Sequence, residues 1–249
     1  YSKGWDKLRN ERISRMEQMG LINKEWELSE PSPDIPSWQD VENKDWEIRR
    51  MKTYAAQIDA MDQGIGKIID HLKRNNLLDN TIILFLSDNG GCAETFDSST
   101  EWVRRYGPKK TLVGAEVTYG NDTDLMAGTP DTYMSYGEPW ANLSNTPFRY
   151  YKHYGHEGGV ATPFIVHWPK GFSEKNKFRD EVASIIDIMP TILEATNTSY
   201  PAIYNDNSIQ PMEGESLLPV FTGKHLERKN WFMEHEGNRA VRNGKWKLV

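Results

Sequence analysis

Asp88 and Asn89 stand side by side after an apolar run, in the stretch TIILFLSDNGG at residues 81–91. A carboxylate and an amide oxygen on adjacent residues suit a hard cation such as Ca²⁺ or Mg²⁺, because both can reach one ion where a strand frays into a loop. Ligand sites in α/β sheets also lie beyond the carboxyl ends of the strands. An Asx turn closing the strand accounts for the same residues without any ligand. A second group lies in YKHYGHEGGVATPFIVHWP, residues 151–169. There Lys152 precedes Glu157, and Gly158-Gly159 permit a close backbone approach before an apolar strand. Lys152 suits an ammonium aimed at an oxyanion; the plain alternative is a solvated surface lysine. His153 and His156 flank that loop, and loop histidines more often support a site than touch substrate. Cys92 is the single cysteine, so neither an internal disulfide nor a Cys-rich zinc site can form.

The elements that must position these groups are those of an α/β protein. Residues 5–19 pattern as a short amphipathic helix closed by Gly20. Residues 29–40 hold three prolines and predict an extended surface linker. Ile48, Met51, Ala55, Ile58, Met61, Ile65, Ile68 and Leu72 recur at steps of three and four, which predicts a long helix over about 45–75. Gly64 and Gly66 inside it suggest close packing against a sheet. Residues 82–87 then form a strand apolar on both faces, as expected of a sheet covered on both sides. Residues 92–145 carry little apolar periodicity and suggest a functional rim, with Trp102, Tyr133, Tyr136 and Trp140 either as sugar or aryl platforms or as local packing. Residues 162–168 form a second strand. Residues 184–196 form a helix with Pro190 in its first turn, and Asn243-Gly244 signals a hairpin near the end of the chain.

Composition narrows the partners. The 249 residues carry a formal net charge of −6, which disfavours general nucleic-acid binding. No apolar run approaches the roughly 18–20 residues of a membrane span. The chain opens on Tyr1-Ser2-Lys3 without a signal-peptide pattern. Asn121, Asn142 and Asn197 match glycosylation sequons, matches that arise easily by chance in a polar chain.

The run YAAQIDAMDQGIGKIIDHLKRNNLLDNTIILFLSDNGG, followed by Lys-x4-Glu-Gly-Gly-x3-Pro, resembles the C-terminal half of a sulfatase, more narrowly the bacterial arylsulfatases of the alkaline-phosphatase superfamily. IIDIMPTILEAT, GESLLPVFTG and NRAVRNGKWKLV extend the resemblance over essentially the whole chain. It implies part of a large mixed sheet flanked by helices over residues 1–227, with 92–145 as an active-site rim. Residues 228–249 would begin a small C-terminal antiparallel sheet. It also implies that Asp88 and Asn89 are two Ca²⁺ ligands, half of the calcium shell, and that Lys152 contacts the sulfate. His156 and His235 are further substrate-side candidates, His235 on a loop expected to return toward the pocket.

The family nucleophile, a formylglycine made from Cys or Ser in a Cys/Ser-x-Pro/Ala-x-Arg motif, has no match here. Cys92 lies in GGCAETF and lacks the arginine. The chain is therefore expected to be an inactive portion lacking roughly the first half of the fold, prone to associate, with a catalytic parent. The implied substrate is a small-molecule or saccharide sulfate ester, and the implied location is periplasmic or secreted in a bacterium; oligomeric state is open. The alternatives are a phosphatase, phosphonate monoesterase or phosphodiesterase of the same superfamily, or a non-catalytic anion-binding module.

Overall fold

The computed structural model describes all residues except Glu227 and Lys229. Glu227, the last residue of the expected first portion, thus lies outside the described residues. Helix α1 (Trp5–Gln18) follows Gly4, whose φ is 78° and where a Cβ would fall 2.1 Å from the Trp38 ring. It closes on Gly20 at φ 69°, the left-handed stop expected from the sequence. Helix α2 (Lys44–Arg74) runs 31 residues, in agreement with its apolar period. A short 3-10 turn leads into β1 (Ile83–Leu86).

The segment expected to lack elements contains α3 (Glu101–Arg105), β2 (Thr118–Tyr119), β3 (Thr132–Tyr133) and α4 (Gly137–Ser144). Then follow α5 (Glu157–Val160), β4 (Phe164–His167), α6 (Ile188–Ala195), β5 (Ile203–Tyr204), β6 (Asn207–Ser208) and α7 (Leu218–Phe221). Pro190 sits in the first turn of α6, where a missing N–H costs nothing. The chain ends in β7 (Asn230–His235), β8 (Asn238–Asn243) and β9 (Trp246–Leu248). The architecture is mixed α/β with a small C-terminal antiparallel sheet.

Two pairings matter for the site. β1 and β4 are antiparallel, with Ile83 opposite His167 and Leu86 opposite Phe164. The carboxyl end of β1 therefore meets the entrance of β4, and the DNGG turn lies beside the EGG turn. The C-terminal sheet has the order β7-β8-β9. His235 pairs with Asn238, leaving Glu236-Gly237 as a two-residue loop with φ 50° and 83°, the signature of a type I′ turn. The second hairpin pairs Asn243 with Trp246, so its loop is Gly244-Lys245, one residue later than Asn243-Gly244 implies.

The core sits where α1, α4 and the first half of α2 converge. Trp140 is fully buried and packs edge-on against Trp5 and Trp38, with centroids 5.2 and 5.9 Å away. Its indole N–H donates to Glu47 Oε2 at 2.9 Å, and Glu47 accepts two further bonds from Arg50. A buried indole needs such an acceptor. Trp140 and Tyr136 are thus core residues, not rim platforms, whereas Trp102 and Tyr133 are exposed.

The second half of α2 differs from expectation. Ile58, Met61 and Ile68 are exposed. A Cβ on Gly64 or Gly66 would meet no atom within 4 Å among the described residues, so those glycines do not mark close packing here. β1 is likewise half-buried rather than covered on both faces. No helix is long and apolar enough to cross a membrane among the described residues.

Candidate anion and cation site

The glycines after β1 and before β4 interlock backbone against backbone. Gly90 N–H donates to Gly159 O at 2.9 Å, and a Cβ on Gly90 would fall 1.7 Å from Gly158 O. Cβ atoms on Gly158 and Gly159 would each fall 2.1 Å from a carbonyl oxygen, that of Tyr150 and that of Tyr154. Gly91 N–H donates to Asn145 Oδ1 at 2.8 Å, and Asn145 Nδ2 donates to Tyr150 O at 2.9 Å. Lys152 N–H donates to Gly91 O at 3.1 Å. The glycines thus let the two turns lie against each other, and this contact fixes Lys152 beside the end of β1.

Asp88 is exposed and Asn89 half-buried, both just past β1. Ser87 Oγ donates to Asn89 O at 2.8 Å, and Asn89 Nδ2 donates to Gly90 O at 2.8 Å. The structure therefore contains the local turn as well as the pair of oxygen donors.

Lys152 is paired with Glu94, which also accepts from Cys92 Sγ at 3.0 Å and lies 3.3 Å from His153 Nε2. Burial alone would raise the Glu94 carboxyl. The bonds from Cys92, Lys152 and His153 outweigh it and hold Glu94 down at about 2. Burial would lower the Lys152 ammonium, but the Glu94 hydrogen bond and charge, with Cys92 and Asp88 nearby, raise it above the ordinary lysine value. It stays cationic at neutral pH. Burial, then the Glu94 bond, push the Cys92 thiol up to about 11, the opposite of an activated nucleophile.

His235 and His153 stack with ring centroids 5.4 Å apart, and Glu236 Oε2 lies 3.0 Å from His153 Nδ1. The β7–β8 turn therefore does return to the Lys152 loop. His156 has other neighbours. Its ring packs edge-on against Tyr150. It lines a cleft of about 500 Å³ with Trp26, Phe148, Arg149, Arg242 and Lys247. Neither Asp88, Asn89, Lys152 nor His235 lines that cleft. Burial and the charges of Arg149 and Lys247 lower the His156 pKa. Glu157 accepts from Lys247 Nζ at 2.6 Å and from Arg242 Nη1 at 3.4 Å, tying the EGG turn to the C-terminal sheet.

The family profile described as Sulfatase matches residues 14–198. This chain belongs to the sulfatase family. An uncharacterized sulfatase of Schizosaccharomyces pombe is 29% identical over 259 residues, covering 100% of this chain and 44% of that protein. An arylsulfatase of Klebsiella aerogenes is 27% identical over 244 residues, covering 92% of this chain and 47% of its own length. The chain thus spans about half the length of these curated sulfatases. A sulfatase structure from Pseudoalteromonas sp. superposes with a TM-score of 0.45 at 22% identity, over 73% of this chain and 27% of that one.

Two members of this site carried no signal in the sequence. Glu94 lies 58 positions from Lys152 in a segment without periodicity. Asn145, 54 positions from Gly91, reads as an ordinary loop amide. The nearest hint for Glu94 is an acid soon after a paired glycine turn.

Proposed function

We propose that this chain carries part of the active site of a sulfate-ester hydrolase whose nucleophile, a formylglycine, comes from residues outside it. The observation that supports this most is the joining of Lys152 to the end of β1. Its backbone N–H is bonded to Gly91 O, and the Asp88 charge acts on its ammonium. A cationic oxyanion holder and a pair of oxygen donors thus share one strand end.

The donor set fits Ca²⁺ in kind. Asp88 supplies a carboxylate, and Asn89 uses its amide N–H on Gly90 O, so its carbonyl oxygen is the end left for a cation. It falls short in number, since Ca²⁺ takes about six to eight oxygens and the remainder would come from elsewhere in the whole protein. A bound Ca²⁺ would supply Lewis-acid neutralisation of negative charge on sulfuryl oxygens. Lys152 would hold an oxyanion by a charge-assisted hydrogen bond. That anion has to compete with Glu94 for the ammonium, and Glu94, half-buried and held by Cys92, would stay behind as a carboxylate. The natural substrate in this reading is a small-molecule or saccharide sulfate ester. A periplasmic or secreted location belongs to the same reading and rests on the resemblance to bacterial arylsulfatases alone.

Hydrolysis of an aryl sulfate and of the matching aryl phosphate by the whole protein tests this. The expected result is sulfate turnover in excess, lost with a calcium chelator and restored by Ca²⁺. Preference for the phosphate ester would assign the protein to phosphate chemistry. Anion binding without turnover of either would make it a binding module.

A further inference from the structure

We propose that His153, His235 and Glu236 form a binding site for a borderline transition-metal cation, Zn²⁺ being the natural occupant, separate from the oxygen donors Asp88 and Asn89. Their ligand atoms all lie within 4.8 Å of one another. Three residues from two distant parts of the chain meet there, one on the Lys152 loop and two on the β7–β8 turn.

The state of His153 carries the argument. Its Nδ1 is buried and makes no hydrogen bond among the described residues. Yet Glu236 Oε2 lies only 3.0 Å away, off the hydrogen-bond direction. On the other side of the ring, Nε2 lies 3.3 Å from Glu94 Oε1. A proton on Nε2, facing Glu94, leaves a lone pair on Nδ1 facing a second carboxylate. Two acceptors at that separation repel unless a cation lies between them. A carboxylate behind the imidazole and a metal in front of it is the usual arrangement around a metal-bound histidine, because it fixes the tautomer and raises ligand basicity.

The backbone supports the same conclusion. His153 holds φ 82°, a left-handed conformation that is strained for a non-glycine residue and persists where surrounding structure enforces it. Glu236 sits in the tight turn at φ 50°, which places its carboxylate against the histidine. Zn²⁺ bonds of about 2.0–2.1 Å in a tetrahedron put ligand atoms roughly 3.3 Å apart. The Nδ1–Oε2 pair is already at that scale. The His235 ring, exposed at the end of β7, need only turn from its stack to complete the set.

Two imidazoles and one carboxylate favour Zn²⁺ and its neighbours over Ca²⁺ or Mg²⁺. Three protein ligands leave a fourth position for water or an anion, next to the Lys152–Glu94 pair. The metal would also clamp the β7–β8 turn to the Lys152 loop. Zinc uptake here does not depend on the sulfate-ester reading.

The test is calorimetric titration of the 249-residue chain with Zn²⁺ in the presence of excess Ca²⁺. The expected result is one equivalent bound, with affinity at least about tenfold weaker in both His235→Ala and Glu236→Gln, and unchanged in Asp88→Ala. Circular dichroism checks that the variants fold; both substitutions lie at an exposed hairpin tip. Co²⁺ in place of Zn²⁺ should give the visible bands of a tetrahedral centre, and these should vanish in the same two variants. Absence of Zn²⁺ uptake, or uptake that both variants retain, would overturn the site.

Discussion

Replacing Gly90 by alanine tests whether the interlocked glycines hold the site together. The added Cβ would sit 1.7 Å from Gly158 O and 2.8 Å from Gly158 C, far inside van der Waals contact. The obstacle is backbone, so no side chain can swing aside. Gly158 cannot retreat freely, because its own N–H is bonded to Arg149 O at 3.0 Å and a Cβ-sized gap behind it is filled by Tyr150 O. Relief requires parting the two turns and breaking the Gly90 N–H to Gly159 O bond. Overpacking of this kind costs about 1–3 kcal/mol, and a lost buried hydrogen bond adds about 1 kcal/mol. For a chain of this length the loss lowers Tm by about 4–16 °C. Gly64→Ala is the matched control. Its Cβ meets nothing within 4 Å among the described residues, it lies within α2, and alanine should stabilise the helix by about 0.8–1 kcal/mol. Urea and thermal unfolding of both variants give the answer. A Gly90→Ala chain as stable as the original, or one more destabilised by Gly64→Ala, would refute the claim that backbone contact between the turns positions Lys152.

Three further outcomes follow from the same geometry. Glu94 is held at about 2, below the roughly 4.3 of an unfolded glutamate. Its contribution is therefore present above that unfolded value and lost as pH falls from about 4.3 toward 2. The carboxylate is 31% exposed, so solvent screening leaves about 1–2 kcal/mol of the shift. Glu94→Gln should flatten the decline in urea midpoint between pH 5 and 2 by that amount, and an unaltered slope would count against the Lys152–Glu94 pair. The Cys92 thiol, pushed up to about 11 by burial and Glu94, should alkylate on the order of 10²-fold more slowly at pH 8 than a free thiol, and ordinary alkylation rates would show that its burial and the Glu94 bond do not hold it. Glu47→Ala leaves the Trp140 N–H without its acceptor and the buried Arg50 guanidinium without its carboxylate partner. Such a break costs about 3–5 kcal/mol, read from the urea midpoint; a loss under about 1 kcal/mol would contradict the core described here.

Helix α2 was legible almost to the residue, because its apolar period runs unbroken and a long amphipathic repeat admits one reading. The two strands followed from short apolar runs bounded by Pro and Gly. The β7–β8 turn was half legible: His235 was expected near the pocket, but the type I′ loop at Glu236-Gly237 escaped notice while Asn243-Gly244 drew attention. Trp140 stayed open between platform and packing because its partners, Trp5, Trp38 and Glu47, lie about a hundred positions or more away in sequence. Nothing local distinguishes a core tryptophan from a platform. The paired glycines signalled close approach, yet sequence could not say that each pair was the other's neighbour. Glu94 was invisible for the same reason: an ion pair across a non-periodic segment leaves no pattern. The expected covering of β1 and α2 is not met among the described residues: β1 is half-buried, and Ile58, Met61 and Ile68 are exposed.

The central claim is that Asp88, Asn89 and Lys152 belong to one sulfate-ester site, and turnover of an aryl sulfate by the whole protein carrying Asp88→Ala tests it most directly. Asp88 is exposed and lies outside β1, so the substitution leaves the fold intact. The expected result is a fall in kcat/KM of at least about 10²-fold, with Ca²⁺ retention reduced in parallel. Turnover and Ca²⁺ retention equal to those of the unaltered protein would contradict the account.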